Sequence, residues 1–263
     1  MRFIVSPAKK MNVVDDAFGW RDLPMFADRA ARLADAVRAL SYDEAKALWQ
    51  CGDALAELNF ERFRTLEVRS GALTPAVLAY EGIQYRYMAP GVFTEQQLEY
   101  VQEHLRILSG LYGVLRPFDG VTPYRLEMQA KLQTENAADL YGFWGGSIAD
   151  VLYAETDCII NLASKEYSMC VSRHKKSGHT AYHLRVWRGK GRQDLEKGTL
   201  CKMARGEMVR HLAECGAESP DALRSFSALG YAYAPEHSDA ETCVFLLQKG
   251  RKAWRVAWIL HSL

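Results

Sequence analysis

The chain has 263 residues, 49% hydrophobic and 25% charged, with a net charge of +1. That is ordinary globular composition, long enough to bury a sizeable core, and it excludes a chain-wide electrostatic signature for nucleic acid or membrane. Six cysteines stand singly at 51, 158, 170, 201, 215 and 243, a pattern of free thiols in a reducing compartment. The apolar run inside Met1–Pro7 is too short for a signal peptide, and no stretch of ~18 apolar residues exists, so the expectation is a soluble, cytoplasmic protein.

In chain order, residues 2–5 read as a buried strand opening into the loop Ser6-Pro7-Ala8-Lys9-Lys10. A loop at the carboxyl end of such a strand commonly carries ligand groups in α/β proteins, which marks Lys9. Residues 24–40 are expected to be helical, with Phe26, Ala30, Leu33, Val37 and Leu40 at helical spacing. Ser41 with Glu44 forms a capping-box pattern for a second helix through Trp49. A third is expected over about 53–63, with Leu55, Leu58 and Phe63 inward.

Residues 75–80 read as a short strand or buried helical turn, followed by an aromatic loop containing Tyr85, Tyr87 and Pro90. Thr94 with Gln97 starts a helix over 95–108 with Leu98, Val101, Leu105 and Leu108 inward. A helix is expected over 139–154 and a second buried strand over 157–162, again ending in a polar loop, 163–167. From 181 the periodicity becomes two, as in a half-buried strand. A charged turn at 189–198, a return strand near 199–203 and a helix over 207–215 follow. The last part reads as strands at 230–233, 243–248 and 253–259. No repeat or linker appears, so the reading is a mixed α/β fold in one domain, 1–263, with a central sheet, flanking helices and one functional edge.

Charge is uneven. Residues 173–210 carry eleven Lys or Arg against three acids, a net +8. Several of these cations fall on strands, which favours an anionic partner over a merely solvated face.

The stretch 105–128 stands out because apolar residues alternate with Arg, Tyr and Glu, and buried charge must be paired or used. The run Leu-Ser-Gly-Leu-Tyr-Gly at 108–113 resembles the turn of a helix-hairpin-helix over about 95–125. In such a motif Ser109, Gly110, Tyr112 and Gly113 would cradle a phosphate with backbone amides, flanked by Arg106 and Arg116. A helix C-cap at Gly110 followed by a packed turn explains the same pattern equally well.

The segments Leu105–Asp119 and Pro123–Met128 resemble the signature of the YaaA family of bacterial peroxide-stress proteins. Ser6–Lys9, Leu140–Gly145, Asn161–Tyr167 and Lys202–Met208 agree in the same order. The resemblance covers most of the chain. It implies a single mixed α/β domain with a helix-hairpin-helix and a basic cleft. It also implies binding of double-stranded or structured DNA and a role in limiting oxidative damage to DNA. Four departures stand in motif loops: Lys10 where the family usually has Thr, Glu81 and Ile83 in place of a basic and an acidic residue, and Gly146 in place of an acid. A fifth is Gln129, where a Gly is usual.

Two functional readings follow. In the first, Lys9, Arg106, Ser109, Gly110, Tyr112, Gly113, Arg116, Arg125, Asn161, Ser164, Lys202 and Arg205 contact DNA phosphates. The second starts from residues that non-specific DNA binding does not require. Lys9, Tyr124, Glu127 and Glu166 would serve an enzyme acting on a nucleobase, nucleoside or nucleotide, in an enclosed pocket rather than an open groove. Each acid has a plain alternative as an ion-pair partner for the arginines. Cys170, His174, His179 and His183 fit no standard zinc spacing. No P-loop or dinucleotide glycine pattern occurs, so no metal or cofactor is expected.

Overall fold

The computed structural model describes residues 1–14, 18–187 and 198–248. The strands are β1 (Arg2–Val5), β2 (Lys10–Met11), β3 (Thr74–Pro75), β4 (Tyr80–Glu81), β5 (Leu105–Ser109), β6 (Gly113–Leu115), β7 (Gly120–Val121), β8 (Cys158–Leu162), β9 (Thr180–Trp187), β10 (Tyr231–Tyr233) and β11 (Thr242–Leu247). The α-helices are α1 (Ala27–Arg38), α2 (Tyr42–Trp49), α3 (Asp53–Thr65), α4 (Ala76–Ala79), α5 (Ile83–Met88), α6 (Glu95–His104), α7 (Leu140–Trp144), α8 (Ser147–Glu155), α9 (Lys165–Ser172) and α10 (Gly198–Glu214).

A seven-stranded sheet in the order β10-β11-β9-β8-β1-β5-β6 carries the fold. The five inner strands are parallel, and an antiparallel strand closes each edge. Parallel strands are covered on both faces and read as continuous apolar runs. That is what Phe3-Ile4-Val5 and Ile159-Ile160 supply, all buried. β5 lies on one side of β1 and β8 on the other, and Val5 is in register with Leu162. The crevice outside the carboxyl ends of β1 and β8 is therefore where an open α/β sheet offers its ligand site.

Both capping boxes form as expected, at Ser41/Glu44 and Thr94/Gln97. The strands at 2–5, 157–162, 181–187, 230–233 and 243–248 are also found, with small shifts at their ends. Other expectations are corrected. On α3 the buried residues are Ala56, Asn59 and Phe63, while Leu55 and Leu58 are exposed. The aromatic loop around Tyr85 and Tyr87 is the helix α5. Residues 139–154 form two helices, broken at Gly145-Gly146. The return strand near 199–203 is instead part of α10, where Cys201, Ala204, Met208 and Leu212 recur at helical spacing and are buried. The charged turn, apart from Gly198, and the strand at 253–259 lie outside the described residues.

The largest correction concerns the central stretch. The expected helix over 95–108 ends at His104, and Leu105–Ser109 is a fully buried strand. It pairs with Gly113–Leu115 as an antiparallel hairpin, so no helix-hairpin-helix is formed. Leu98, Val101, Leu105 and Leu108 sit at helical spacing, but Leu105-Arg106-Ile107-Leu108 is buried on both faces, as an inner strand requires. Arg106 is tolerated there because its guanidinium turns back to the carbonyls of Gln102, Glu103 and Leu105, at 3.2, 2.9 and 2.8 Å. It thereby caps the end of α6. It also meets Glu155 at 2.9 Å, and Glu155 is shared with Arg2 at 3.0 Å.

The hairpin turn is sealed. A Cβ at Gly110 would stand 2.2 Å from the carbonyl oxygen of Leu126. The indole of Trp144 donates to the Gly110 carbonyl at 3.0 Å, and the Tyr112 amide donates to Ser109 Oγ at 2.8 Å. Gly110→Ala should destabilise the protein by about 3 kcal/mol or prevent folding, because backbone rather than a movable side chain blocks the new methyl. Urea unfolding checks this.

After the hairpin, Asp119 is buried and accepts from the Arg116 amide at 2.8 Å and from Arg116 Nε at 3.2 Å. Burial pushes its carboxyl up to about 6, against the pull of Arg116. Its folded value lies above the unfolded one, so its contribution to stability is present below about pH 4 and lost as pH rises through about 6. Over that window the loss is roughly 3 kcal/mol. Asp119→Asn should therefore gain stability relative to the parent between pH 4 and 7, measured as the difference between two unfolding profiles.

Candidate functional site

Residues 122–127 follow β7 as a strap with no helix or strand of its own. One buried side chain pins it. The Tyr124 hydroxyl lies 2.6 Å from Ser109 Oγ and 2.9 Å from the Tyr80 hydroxyl. Burial pushes the Tyr124 phenol up to about 12 and that of Tyr80 well above its ordinary value. These hydroxyls therefore act as neutral hydrogen-bonding groups. With Tyr124 fixed, Arg125 and Glu127 are set against the loop that follows β1.

There the strap forms one wall of a cavity of about 470 Å³. The Ser6–Lys10 loop, the start of α5, the first turn of α9, and Lys202 and Arg205 of α10 complete it. A second hollow, beside Lys46 and Gln50, lies at the α2–α3 turn, away from all these groups. The site is where parallel-sheet topology places it. Ser6 follows β1, Ser164 follows β8, and Ser6 Oγ accepts from the Ser164 amide at 2.8 Å. α10 reaches the cavity because Gly206 lets it lie directly on α5, where a Cβ would come within 2.2 Å of the Gln84 carbonyl oxygen.

Charge is divided within the cavity. Lys10 pairs with Glu81 at 2.7 Å across β2 and β4. Two of the departures from the family pattern thus compensate each other. Glu127 Oε1 lies 2.9 Å from Lys9 and 3.0 Å from Arg125, charge contacts whose angles do not make hydrogen bonds. Glu166 accepts from the Gln129 amide at 3.3 Å. Burial, with the nearby Glu127 charge adding to it, pushes Glu166 above the ordinary carboxylate range, while the Gln129 amide and Lys9 oppose the shift. Lys202 and Arg205 have no ion pair or side-chain hydrogen bond among the described residues, and Arg205 Nε is buried without a partner.

Of the residues singled out in the sequence, the cavity brings together Lys9, Tyr124, Arg125, Glu127, Ser164, Glu166, Lys202 and Arg205. The others serve the frame. Ser109, Gly110, Tyr112 and Gly113 are buried, and the protein itself fills the space a phosphate would need. Arg106 is the buried helix cap already described. Arg116 pairs with Asp22 at 3.1 Å and with Asp119, outside the cavity lining. Asn161 does not line the cavity. Its Oδ1 accepts from the Ala163 amide at 3.0 Å and its amide group meets His183, which shapes the loop leading to Ser164.

Sequence reasoning missed Ser6, Gln84 and Tyr85. Ser6 stood in a marked loop. Tyr85, whose hydroxyl donates to the Ser6 carbonyl at 3.0 Å, gave no signal beyond its aromatic neighbours. No group of three or more His, Cys, Asp or Glu among the described residues is placed to hold a metal ion, and no helix among them is long and apolar enough to cross a membrane.

The chain is similar over nearly its whole length to a set of bacterial proteins. A UPF0246 protein of Lachnoclostridium phytofermentans is 48% identical over 246 residues, 94% of this chain and 96% of its own. One from Agathobacter rectalis is 46% identical over 93% of this chain and 98% of its own, and one from Desulfitobacterium hafniense is 43% identical over 96% and 100%. Residues 1–237 match the family profile described as "Peroxide stress protein YaaA". With that match and relatives covering more than nine-tenths of its length, the chain belongs to the YaaA peroxide stress protein family.

Proposed function

We propose that the cavity binds a small ligand of nucleobase, nucleoside or nucleotide type, and that this chain serves peroxide-stress protection through that ligand, free or carried in DNA. The observation that carries the reading is the pair Lys202 and Arg205, which face the cavity without a partner among the described residues. Lys202 is exposed and Arg205 half-buried, and no group among the described residues neutralises either, so an anion in the cavity gains charge-assisted contacts that none of them already makes. The acids beside them argue for more than a bare anion. Carboxylates accept from amino groups of bases and from ribose hydroxyls.

DNA enters this reading in a restricted form. A duplex does not fit a cavity of about 470 Å³. The exposed Lys9, Lys10 and Lys202 at its mouth suit a phosphate backbone, and a single extruded nucleotide suits the interior. Four of the six thiols are poorly suited to thiolate chemistry. Burial pushes the thiols of Cys158, Cys170, Cys215 and Cys243 up, that of Cys170 to about 12, away from the reactive thiolate.

Calorimetric titration with purine and pyrimidine bases, nucleosides and nucleotides should find saturable 1:1 binding by at least one of them. Arg205→Gln should weaken it about tenfold or more. Binding of duplex DNA at low salt, with no response to any small compound, would overturn the small-ligand reading. Glu166 supplies a pH test. Its raised value keeps it neutral further up the pH scale, so an anionic ligand should bind more weakly as pH rises through that value. Glu166→Gln should abolish this limb in affinity measured across the pH range.

A further inference from the structure

We infer that the cavity contains a phosphate subsite, built by the first turn of α9, the Ser6 and Ser164 hydroxyls, and Lys202 with Arg205, and that the ligand is a nucleoside monophosphate. The inference rests on the nucleotide reading above and goes further by assigning where the phosphate sits.

The argument begins at the paired ends of β1 and β8. Ser164 is the N-cap of α9, yet its side chain caps none of the helix amides. Its hydroxyl is instead 3.2 Å from the Ser6 hydroxyl, which also accepts from the Ser164 amide. The Ser164 carbonyl receives the amides of Tyr167 and Ser168, at 3.1 and 2.9 Å. The amides of Lys165 and Glu166 precede the first of these and, as at any helix start, lack an intrahelical acceptor. An uncapped N-terminus of this kind carries partial positive charge and donors suited to an anion.

A helix start alone is common. The independent sign of a ligand comes from α10, where the exposed Lys202 and the half-buried Arg205 line the same cavity with no ion pair or side-chain hydrogen bond among the described residues. The other cations of the cavity, Lys9, Lys10 and Arg125, are each engaged by Glu127 or Glu81. The surplus positive charge is therefore confined to the α10 side. Two cations, the Ser164 hydroxyl that the Ser6 hydroxyl donates to, and a helix terminus match the charge and the several acceptor oxygens of a phosphate monoester. The strap, with Arg125 and Glu127, then faces the nucleoside.

The test compares a nucleoside, its monophosphate and inorganic phosphate at constant ionic strength by calorimetry. The monophosphate should bind about tenfold or more tighter than the nucleoside, and inorganic phosphate should compete with it. Arg205→Gln with Lys202→Gln should erase the advantage of the monophosphate over the nucleoside. Arg224→Gln, an exposed arginine paired with Asp221 outside the cavity lining, should change nothing. Unfolding profiles confirm that each variant is folded. Equal binding of nucleoside and monophosphate would overturn the subsite while leaving the nucleotide reading intact, and so would an advantage that survives the double substitution. Binding of inorganic phosphate that Arg205→Gln abolishes, with no response to nucleoside or monophosphate, would uphold the subsite and overturn the nucleotide reading. No binding of any of the three would overturn both.

Discussion

The buried hydroxyl chain Tyr80–Tyr124–Ser109 holds the site in place. It joins three parts of the molecule: a two-residue strand beside the β1 loop, the irregular strap, and an inner strand of the sheet. Each hydroxyl is desolvated, so each must be satisfied by its neighbours. The Ser109 oxygen also receives the Tyr112 amide, which ties the chain into the β5–β6 turn. The strap has no regular hydrogen-bond ladder across 122–127. Its position follows from this polar pin and from the close fit of Leu126 over Gly110. The cavity wall therefore inherits the rigidity of the sheet although it is made of loop.

The electrostatics of the cavity depend on that placement. Fixing Glu127 against Lys9 and Arg125 uses the cations nearest the strap and leaves those of α10 free for something else. It also puts a negative charge near Glu166, adding to the burial that keeps that carboxyl protonated further up the pH scale. Two acids a few positions from motif cations thus have different circumstances, one held by ion pairs and the other pushed toward neutrality. This division of labour is a familiar starting point for binding and for proton transfer.

Much of this was legible in the sequence. The buried runs 2–5 and 157–162, each ending in a polar loop, pointed to the edge of the sheet where the cavity lies, and the two capping boxes fixed helix starts. The motif residues Lys9, Glu127, Ser164, Glu166 and Arg205 do meet in one cavity. The central hairpin was misread for a physical reason. A short apolar run that continues the spacing of a preceding helix cannot be told from a strand by periodicity, and the sheet on both sides of Leu105–Ser109 decides the matter. Arg106 misled for a related reason. Its type suggested phosphate, but its partners are carbonyls exposed by the end of α6, which exist only once the helix has stopped. The pairing of Lys10 with Glu81 was likewise invisible, because the two lie far apart in sequence and meet only through β2 and β4.

The seating of α10 on α5 through Gly206 has a further consequence. The groups around the cavity come from five separated stretches of chain: the loop after β1, the start of α5 with the residues before it, the strap, the start of α9, and α10. A ligand touching several of them acts as a non-covalent cross-link between distant parts of the described chain. Its binding free energy then reappears as resistance to unfolding and to proteolysis. Occupancy of the cavity would thus govern how long the protein survives as well as what it does.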